Sequence, residues 1–338
     1  MAQVAISTLQ AAGQTLEPET FRREIVGSCA PAVIRGLVAD WPVTRAARTD
    51  GGLLDYLRPM ATEATINIFV GPPEISGRYY YNDQLTGFNF TQETLHFAAA
   101  IERVLRPVGQ DEPTAYLGSV PTPTYASAFA VENPMPLVPA QVPPRLWLGH
   151  AAHVACHYDT LDSIACVVAG ARRFTLYPPE AIGDLYVGPI DVTMAGQPVS
   201  LAASSPPDPE RYPRFERVRH LAIEVDLQPG DALYLPKLWW HQVQSFAPVN
   251  AMVNYWWDAF AAGPDSPYSS LMLALISIAE RPPAEREAWR AFFDHYVFRG
   301  EGHPLAHLPP ERHGILGPLR PDNYGHIRAR VLSALKRG

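Results

Sequence analysis

The stretch from residue 145 to residue 179 constrains the fold of this chain most strongly. It reads RLWLGHAAHVACHYDTLDSIACVVAGARRFTLYPP, an apolar and strand-like run in which His157 and Asp159 stand two positions apart. Side chains at i and i+2 of a β-strand share one face, so the imidazole and the carboxylate are expected to project side by side. In a chain with 11 histidines and 34 acidic residues such a pair also arises by chance, so alone it is weak evidence for a metal site.

A second stretch, from residue 228 to residue 244, strengthens that interpretation. It reads QPGDALYLPKLWWHQVQ, in which a Pro-Gly-Asp turn leads into a short apolar strand and then to His241. Two histidines and one carboxylate are the ligand set of the facial triad, which leaves three coordination positions of Fe(II) open. The sequence therefore predicts His157, Asp159 and His241 as metal ligands and as the catalytic centre.

The distribution of proline and glycine indicates the fold class. The 35 prolines and 23 glycines are spread along all 338 residues and do not gather into a linker, a pattern typical of many short strands separated by turns. With 47% hydrophobic residues, the chain has enough apolar material for a core of ordinary size. We therefore expect a mainly β architecture.

Charge and cysteine content bear on partners and compartment. The net charge is −7 and the 27 basic residues form no block, which argues against a nucleic-acid partner. The three cysteines, Cys29, Cys156 and Cys166, show no C-x-x-C spacing and are interpreted as reduced thiols. The N-terminus lacks the pattern of a secretory signal and no apolar run approaches the ~20 residues of a membrane span. We expect a cytoplasmic protein with no membrane association.

Three segments carry a resemblance to a known family. HYDTLDSIACVVAGARRFTLYPP, PGDALYLPKLWWHQV and the later VNYWW resemble, in that order and spacing, the Jumonji-C-like (cupin-8) branch of the Fe(II)/2-oxoglutarate oxygenases, which includes the asparaginyl hydroxylase that inhibits hypoxia-inducible factor. With weaker similarity towards the N-terminus, the resemblance covers roughly residues 15 to 260. It implies a double-stranded β-helix with N-terminal buttressing helices in residues 1–260, followed by a helical C-terminal extension in residues 261–338.

Strand parity singles out one arginine as a ligand for the cosubstrate. Arg172, Phe174 and Leu176 share the apolar face of one predicted strand, whereas Arg173 points to the other face. A guanidinium is almost never buried without an anionic partner, and its planar fork suits a carboxylate. Parity therefore favours Arg172 over Arg173 as the group that binds the distal carboxylate of 2-oxoglutarate, provided that no bulge intervenes.

The resemblance adds further expectations for individual positions. It implies that four more residues contact the cosubstrate, namely Tyr116, Ser163, Asn254 and Trp256. Tyr81 and Trp239 are candidates for substrate binding, and for all six the alternative is a plain packing role in the core. The resembled hydroxylase has a lysine at the position of Arg172, a threonine at Val154 and an asparagine at Ser163; the loss of the threonine removes one donor.

Helical patterns flank the predicted barrel. A helix is predicted from Thr91 to Leu105, and two more over 271–279 and 283–298, the latter with apolar residues at i, i+3, i+4 and i+7. A further amphipathic helix is predicted over 326–336. Because related hydroxylases dimerise through C-terminal helices, we expect this region to form a homodimer.

The sequence thus predicts a 2-oxoglutarate-dependent dioxygenase that hydroxylates an unactivated C–H bond, or demethylates through hydroxylation, on a protein or peptide side chain. Fe(II) is the expected cofactor, with 2-oxoglutarate and O2 as cosubstrates. Three alternatives remain open: oxidation of a small metabolite, a cupin-like binding or regulatory protein that keeps a metal without turnover, and an isomerase-like cupin with another divalent metal.

Overall fold

Two β-sheets form the body of the protein. The computed structural model describes residues 6–10, 16–194, 196–261 and 263–336, and the description that follows is confined to them. The strands are β1 (Ser7–Gln10), β2 (Ala32–Arg35), β3 (Thr65–Gly71), β4 (Arg78–Tyr79), β5 (Thr91–His96), β6 (Thr114–Pro121), β7 (Arg145–Gly149), β8 (Ala152–His157), β9 (Asp162–Ala169), β10 (Arg172–Tyr177), β11 (Ile223–Leu227), β12 (Ala232–Leu235), β13 (Trp240–Ser245) and β14 (Asn250–Trp257).

The strand order identifies the architecture. The larger sheet has the order β1-β2-β12-β9-β14-β7-β6-β3-β5, and the smaller sheet has the order β11-β10-β13-β8-β4. From β7 to β14 the chain alternates between the sheets except at the β10–β11 step, so that β7, β9, β12 and β14 face β8, β10, β11 and β13. This arrangement is the double-stranded β-helix expected from the sequence.

Strand β9 shows why the chain folds this way. All eight of its residues are buried, which agrees with its nearly continuous apolar sequence. Ala165 and Val167 point into the barrel, where they pack with residues such as Phe174 and Leu233. Residues on the other face of β9 pack with the N-terminal helical layer, so both faces of the larger sheet are covered.

The turn at 228–231 connects the N-terminal layer to the barrel. Gly230 adopts a φ of +104°, which a residue with a side chain would reach only under strain. Its N–H donates to Val167 O at 2.8 Å, and its carbonyl accepts from Val38 N at 2.9 Å. The Asp231 carboxylate pairs with Arg35 at 2.7 Å. The predicted Pro-Gly-Asp turn is confirmed.

The described residues also form α-helices. They are α1 (Pro18–Thr20), α2 (Pro42–Ala46), α3 (Gly52–Leu57), α4 (Phe97–Leu105), α5 (Thr122–Tyr125), α6 (Phe129–Glu132), α7 (Pro267–Ile278), α8 (Pro283–Phe293) and α9 (Pro321–Leu335). The predicted helix from Thr91 to Leu105 is wrong in its first part, because residues 91–96 form strand β5. Every residue of β5 pairs with β3, from Thr65↔His96 to Val70↔Thr91, and these cross-strand bonds override the apparent capping signal.

The chain divides into two compact units, Met1–Ala259 and Phe260–Gly338. The first contains both sheets. The second contains α7, α8 and α9, and the helices predicted over 271–279, 283–298 and 326–336 correspond to them, with a π-helical turn from Asp294 to Phe298 extending α8. Large apolar side chains on α7 and α8 are exposed, including Ile276 at 82% and Phe292 at 57%. Among the described residues, no helix has both the length and the apolar character needed to cross a bilayer.

Candidate metal centre

The two histidines are brought together by neighbouring strands. His157 is the last residue of β8, and His241 is its direct register partner on β13. Directly opposed residues of an antiparallel pair have their Cβ atoms about 4.5–5.5 Å apart, and here the imidazole centroids are 4.3 Å apart. A register irregularity between His241 and Val243 marks a bulge beside the site. Residues 84 positions apart in sequence are therefore adjacent.

Asp159 completes a cluster with metal-ligand geometry. It lies two residues beyond the end of β8, and its Oδ2 is 3.9 Å from His241 Nε2. One ligand atom from each of His157, Asp159 and His241 lies within 4.8 Å of the other two. One cation could contact all three atoms. The structure thus brings together the three residues predicted as ligands.

Backbone carbonyls fix the tautomers of both imidazoles. His157 Nδ1 lies 2.8 Å from Ala155 O, and His241 Nδ1 lies 3.1 Å from Trp239 O. A carbonyl can only accept, so each Nδ1 carries the proton and each Nε2 keeps its lone pair for a metal. The same i−2 carbonyl contact orients both rings.

Burial keeps His241 neutral. Its side chain is 7% exposed, and its pKa is lowered to about 4, mainly by removal from water and then by the adjacent His157, while Asp159 and the Trp239 carbonyl oppose the shift. A neutral imidazole is the form that binds a metal. The donor set therefore fits a divalent transition metal with imidazole and carboxylate ligands.

Trp256 orients the carboxylate ligand. Its indole Nε1–H donates to Asp159 Oδ2 at 3.1 Å. Its ring packs edge-on against Trp147, with centroids 5.7 Å apart, and Trp147 Nε1–H donates to Asn254 Oδ1 at 2.7 Å. Asn254 Nδ2–H in turn donates a long bond of 3.5 Å to Ser163 Oγ. Three of the residues implied by the resemblance thus lie together in one polar network beside the triad.

Arg172 is buried with unused hydrogen-bonding capacity. It is 2% exposed, and its Nε and Nη2 have no hydrogen-bond partner in the described part of the chain. Arg173, on the opposite face of β10, bonds Asp226 through Nε and Nη2 at 2.7 and 2.9 Å on the protein surface. Orphaned donors of a buried guanidinium are costly, so an anion supplied from outside the chain would fit beside Arg172.

Tyr116 borders the Arg172 guanidinium. Burial raises the pKa of the Tyr116 hydroxyl, and the positive charge of Arg172 opposes that rise. For Arg172, burial lowers the pKa and Tyr116 opposes the shift. A neutral phenol oxygen can accept from the guanidinium but carries no negative charge, so Tyr116 leaves the guanidinium without a counterion.

The spacing between Arg172 and the triad fits a dicarboxylate. On the β10–β13 ladder Arg172 opposes Ser245, and Leu176 opposes His241. Four residues along a strand span ~13 Å, a separation that an arginine side chain and a five-carbon dicarboxylate together can bridge. One cavity of about 120 Å³ is lined by Arg172 and by the triad, so both groups can contact the same ligand.

The remaining cavity wall is apolar and was largely missed by sequence reasoning. Beyond Val154, whose position was noted, the wall includes Phe69, Tyr79, Phe90, Met194, Gln197 and Val199. Phe69 lies on β3 of the larger sheet, Tyr79 on β4 at the edge of the smaller sheet, and Phe90 just before β5. The other three lie in the long β10–β11 connection. Gln197 Oε1 is buried without a hydrogen-bond partner in the described residues. No local sequence pattern points to Met194, Gln197 or Val199, whereas Tyr79 and Phe90 belong to an aromatic-rich segment that is visible in the sequence.

Tyr81 and Trp239, the predicted substrate-binding residues, are not part of that cavity wall. Tyr81 is 3% exposed, and its hydroxyl donates to Val192 O at 2.6 Å. Trp239 packs among the barrel core residues, and its Nε1–H donates to Cys29 O at 3.3 Å. In both cases the polar atom has a partner in the protein and the ring is buried among other side chains; substrate binding by these two residues stays a prediction.

The geometry can be compared with known protein families. A family model described as a cupin-like domain matches residues 18–263. The chain belongs to this family. The Jumonji-C-like resemblance stated from the sequence is confirmed, since relatives of this cupin-like chain carry Jumonji C names.

Several curated relatives match this cupin-like chain. It is 27% identical over 247 residues to Jumonji C domain-containing protein 5 of Drosophila melanogaster, covering 71% of this chain and 57% of the relative. It is 28% identical over 252 residues to lysine-specific demethylase JMJ30 of Arabidopsis thaliana, covering 72% of this chain and 53% of the relative. It is 32% identical over 151 residues to HSPB1-associated protein 1 of Homo sapiens, covering 43% of this chain and 30% of the relative. The chain thus spans between about a third and somewhat over half of these relatives.

A solved structure was also matched. The X-ray structure of E. coli ycfD aligns with 95% of this chain and 68% of that chain at a TM-score of 0.40 and 15% identity. A similarity of that extent carries no argument about the site.

Proposed function

We propose that this protein is an Fe(II)- and 2-oxoglutarate-dependent oxygenase that hydroxylates an unactivated C–H bond on a protein or peptide side chain. The observation that carries the proposal is the orphaned guanidinium of Arg172 in the cavity that also contains His157, Asp159 and His241. A histidine–carboxylate cluster alone suits many metals and reactions. An additional buried cation with unsatisfied donors points to an anionic cosubstrate.

Each side chain has a role in this proposal. His157, Asp159 and His241 would hold the metal, with both imidazoles presenting Nε2. Arg172 would bind the distal carboxylate of 2-oxoglutarate by a bidentate contact, which replaces the missing counterion. When bound, the metal and cosubstrate supply the activation of O2 and the oxidising power for C–H cleavage.

The polar network around the triad limits movement of the ligands. Trp256 donates to Asp159 Oδ2, the oxygen that also lies 3.9 Å from His241 Nε2, and this bond holds the carboxylate in place. Tyr116, Asn254 and Ser163 line the same cavity and offer hydrogen bonds to the cosubstrate. Val154 gives an apolar wall where the resembled hydroxylase has a threonine, so Arg172 and Tyr116 carry more of the recognition.

The charges of such a complex cancel. Asp159 contributes one negative charge and Arg172 one positive charge, while a divalent metal and a dicarboxylate add two of each sign. The sum is zero, so closing the cavity leaves no net charge in a medium of low dielectric constant. This balance supports a dianionic cosubstrate over a monoanionic one.

The relatives support the reaction class. One is named a Jumonji C domain-containing protein and another a lysine-specific demethylase, names that support an oxygenase or demethylase of the 2-oxoglutarate type with a protein substrate. We further propose that the protein acts in the cytoplasm as a homodimer through the exposed apolar side chains of α7 and α8. A sedimentation mass equal to one chain would refute the dimer.

Anaerobic reconstitution tests the proposed function. Purified protein is loaded with Fe(II) and 2-oxoglutarate without oxygen, oxygen is admitted, and succinate is quantified. We expect slow succinate release without added substrate and none from His157→Ala. Metal and ligand binding with no succinate would instead indicate a binding protein, and turnover that does not need oxygen would indicate an isomerase-like cupin.

A further inference from the structure

We infer that the group oxidised in this cavity is uncharged and apolar, an aliphatic or aromatic side chain and not a methylated lysine or another cation. The inference rests on the proposed function and deepens it by naming the substrate class. It follows from which charges line the cavity and from how its aromatic wall is packed.

Few charged side chains line the cavity. Among the described residues that line the cavity, Asp159 is the one carboxylate, and Arg172 already contributes a positive charge. Asp159 is taken by the metal, and metal-bound imidazoles are neutral. With metal and dicarboxylate in place the cavity has no net charge and no free anion. A cationic substrate group would therefore be buried as the one unbalanced charge, which is costly.

The aromatic wall does not replace the missing carboxylate. Phe90 is stacked on Phe88, with centroids 5.2 Å apart and an interplanar angle of 12°. It also contacts Phe69 and Tyr79 edge-on, at 5.2 and 5.3 Å. These rings pack against one another as a continuous apolar surface. Cation–π attraction at such a wall restores only part of the hydration that a buried ammonium loses.

The wall contributed by the β10–β11 connection is also uncharged. Met194 and Val199 give apolar surface, and Gln197 gives a buried amide oxygen. The connection is fixed to the barrel by the bond from Tyr81 Oη–H to Val192 O and by a β-bridge between His157 and Val199. The uncharged wall is therefore held against the cavity by contacts with the rest of the unit.

The reaction implied is hydroxylation. A C–H bond of the apolar group is replaced by C–OH, and 2-oxoglutarate is oxidised to succinate with loss of CO2. One oxygen atom of O2 enters the alcohol and the other enters succinate, so atoms and electrons balance without another reductant. An alcohol on an aliphatic or aromatic carbon is stable, so the product keeps the added oxygen.

A matched pair of probes isolates charge from shape. One probe is Nα-acetyl-trimethyl-lysine amide, and the other is its carbon isostere, in which a quaternary carbon replaces the ammonium nitrogen. Binding is measured by tryptophan fluorescence, since Trp147 and Trp256 line the cavity, on protein loaded with Mn(II) and 2-oxoglutarate without oxygen. We expect the neutral isostere to bind at least tenfold more tightly than the cation.

A designed carboxylate should reverse that preference. Gln197→Glu places an anion of nearly identical shape in the cavity wall, and we expect it to favour the cation at least tenfold relative to the unmodified protein. Gln141→Glu is the matched control, because it makes the same chemical change at an exposed position between α6 and β7. It should leave the preference for the neutral probe unchanged.

The outcomes separate this inference from the proposed function. Equal binding of the two probes, tighter binding of the cation by the unmodified protein, or no saturable binding of the isostere would overturn the inference. Succinate release is measured separately on the same preparation. If it is absent while the isostere still binds preferentially, the oxygenase proposal fails and the charge preference of the cavity stands.

Discussion

Replacement of Arg172 by methionine should stabilise the ligand-free protein while abolishing tight binding of 2-oxoglutarate. The guanidinium is 2% exposed, and two of its nitrogens lack partners in the described structure. Methionine keeps the apolar stem but removes an uncompensated buried charge. Because burying an unpaired charge costs more than burying a thioether, we expect unfolding free energy to rise by about 1–3 kcal/mol. For a unit of this size that corresponds to about 2–4 °C in Tm for each kcal/mol.

The effect on ligand binding has the opposite sign. Removing one partner of a buried, charge-assisted pair costs about 3–5 kcal/mol, which corresponds to a Kd for 2-oxoglutarate weaker by roughly two to nearly four orders of magnitude. Arg172→Lys keeps the charge without the planar fork and should weaken binding about tenfold. Titration calorimetry with Mn(II) as an oxygen-stable metal gives the Kd. Thermal unfolding without 2-oxoglutarate gives the stability of the ligand-free protein, and unfolding with 2-oxoglutarate gives the stabilisation by the ligand.

Arg173→Met is the control for this pair of effects. Its guanidinium bonds Asp226 at 2.7 Å on the surface, a kind of pair that contributes about 0–1 kcal/mol. The change should leave the Kd for 2-oxoglutarate unaltered. The reasoning is refuted if Arg172→Met binds 2-oxoglutarate within threefold of the unmodified protein, or if it lowers the ligand-free Tm by several degrees.

Three further predictions concern the metal, the packing and the pH dependence. His157→Ala should lower Mn(II) affinity at least a hundredfold, measured from free Mn(II) by electron paramagnetic resonance, and retained affinity would rule out this ligand. Gly149→Ala places a Cβ within 2.8 Å of the Tyr116 ring. We expect it to lower the free energy of unfolding in urea by about 1–3 kcal/mol and to weaken 2-oxoglutarate binding. An unchanged unfolding free energy together with an unchanged Kd would contradict this prediction. Burial lowers the pKa of His150, so the unfolded chain takes up the proton first and stability falls as pH drops below about 6.5. His150→Gln should therefore flatten the loss of stability between pH 7.5 and pH 5.5, and an unchanged slope would refute this role.

Much of the centre follows from short-range rules of strand geometry. The period-2 alternation of β10 places Arg172 inside and Arg173 outside, as parity predicted. The spacing of His157 and Asp159 indicates a shared face even though β8 ends at His157. The pairing of His157 with His241 is a matter of register between distant strands, and it was inferred from the motif and not from any local pattern.

Contacts between distant parts of the chain decide several features that local sequence does not show. Residues 91–96 contain capping and helix-favouring signals, but cross-strand bonding to β3 decides their structure. Trp239 is a neighbour of His241 in sequence, yet its ring packs in the barrel core and its indole bonds Cys29 O. Gln197 and Phe90 reach the cavity through loops whose paths depend on the whole fold. Sequence proximity to a ligand is thus a poor guide to the cavity wall.

The two histidines of the triad and Arg172 could be predicted from the sequence because they lie on paired strands, whereas much of the remaining cavity wall could not. His157, His241 and Arg172 lie on β8, β13 and β10, three adjacent strands of one sheet, and their relative positions follow from pairing and pleat. Much of the rest of the cavity wall comes from β3, from the edge strand β4 and the residues that follow it, and from the long β10–β11 connection, whose path no local rule of pairing or pleat determines. In the proposed oxygenase, a change of substrate therefore needs only different residues in these segments, whereas a change of cosubstrate would need a new partner for the buried charge of Arg172.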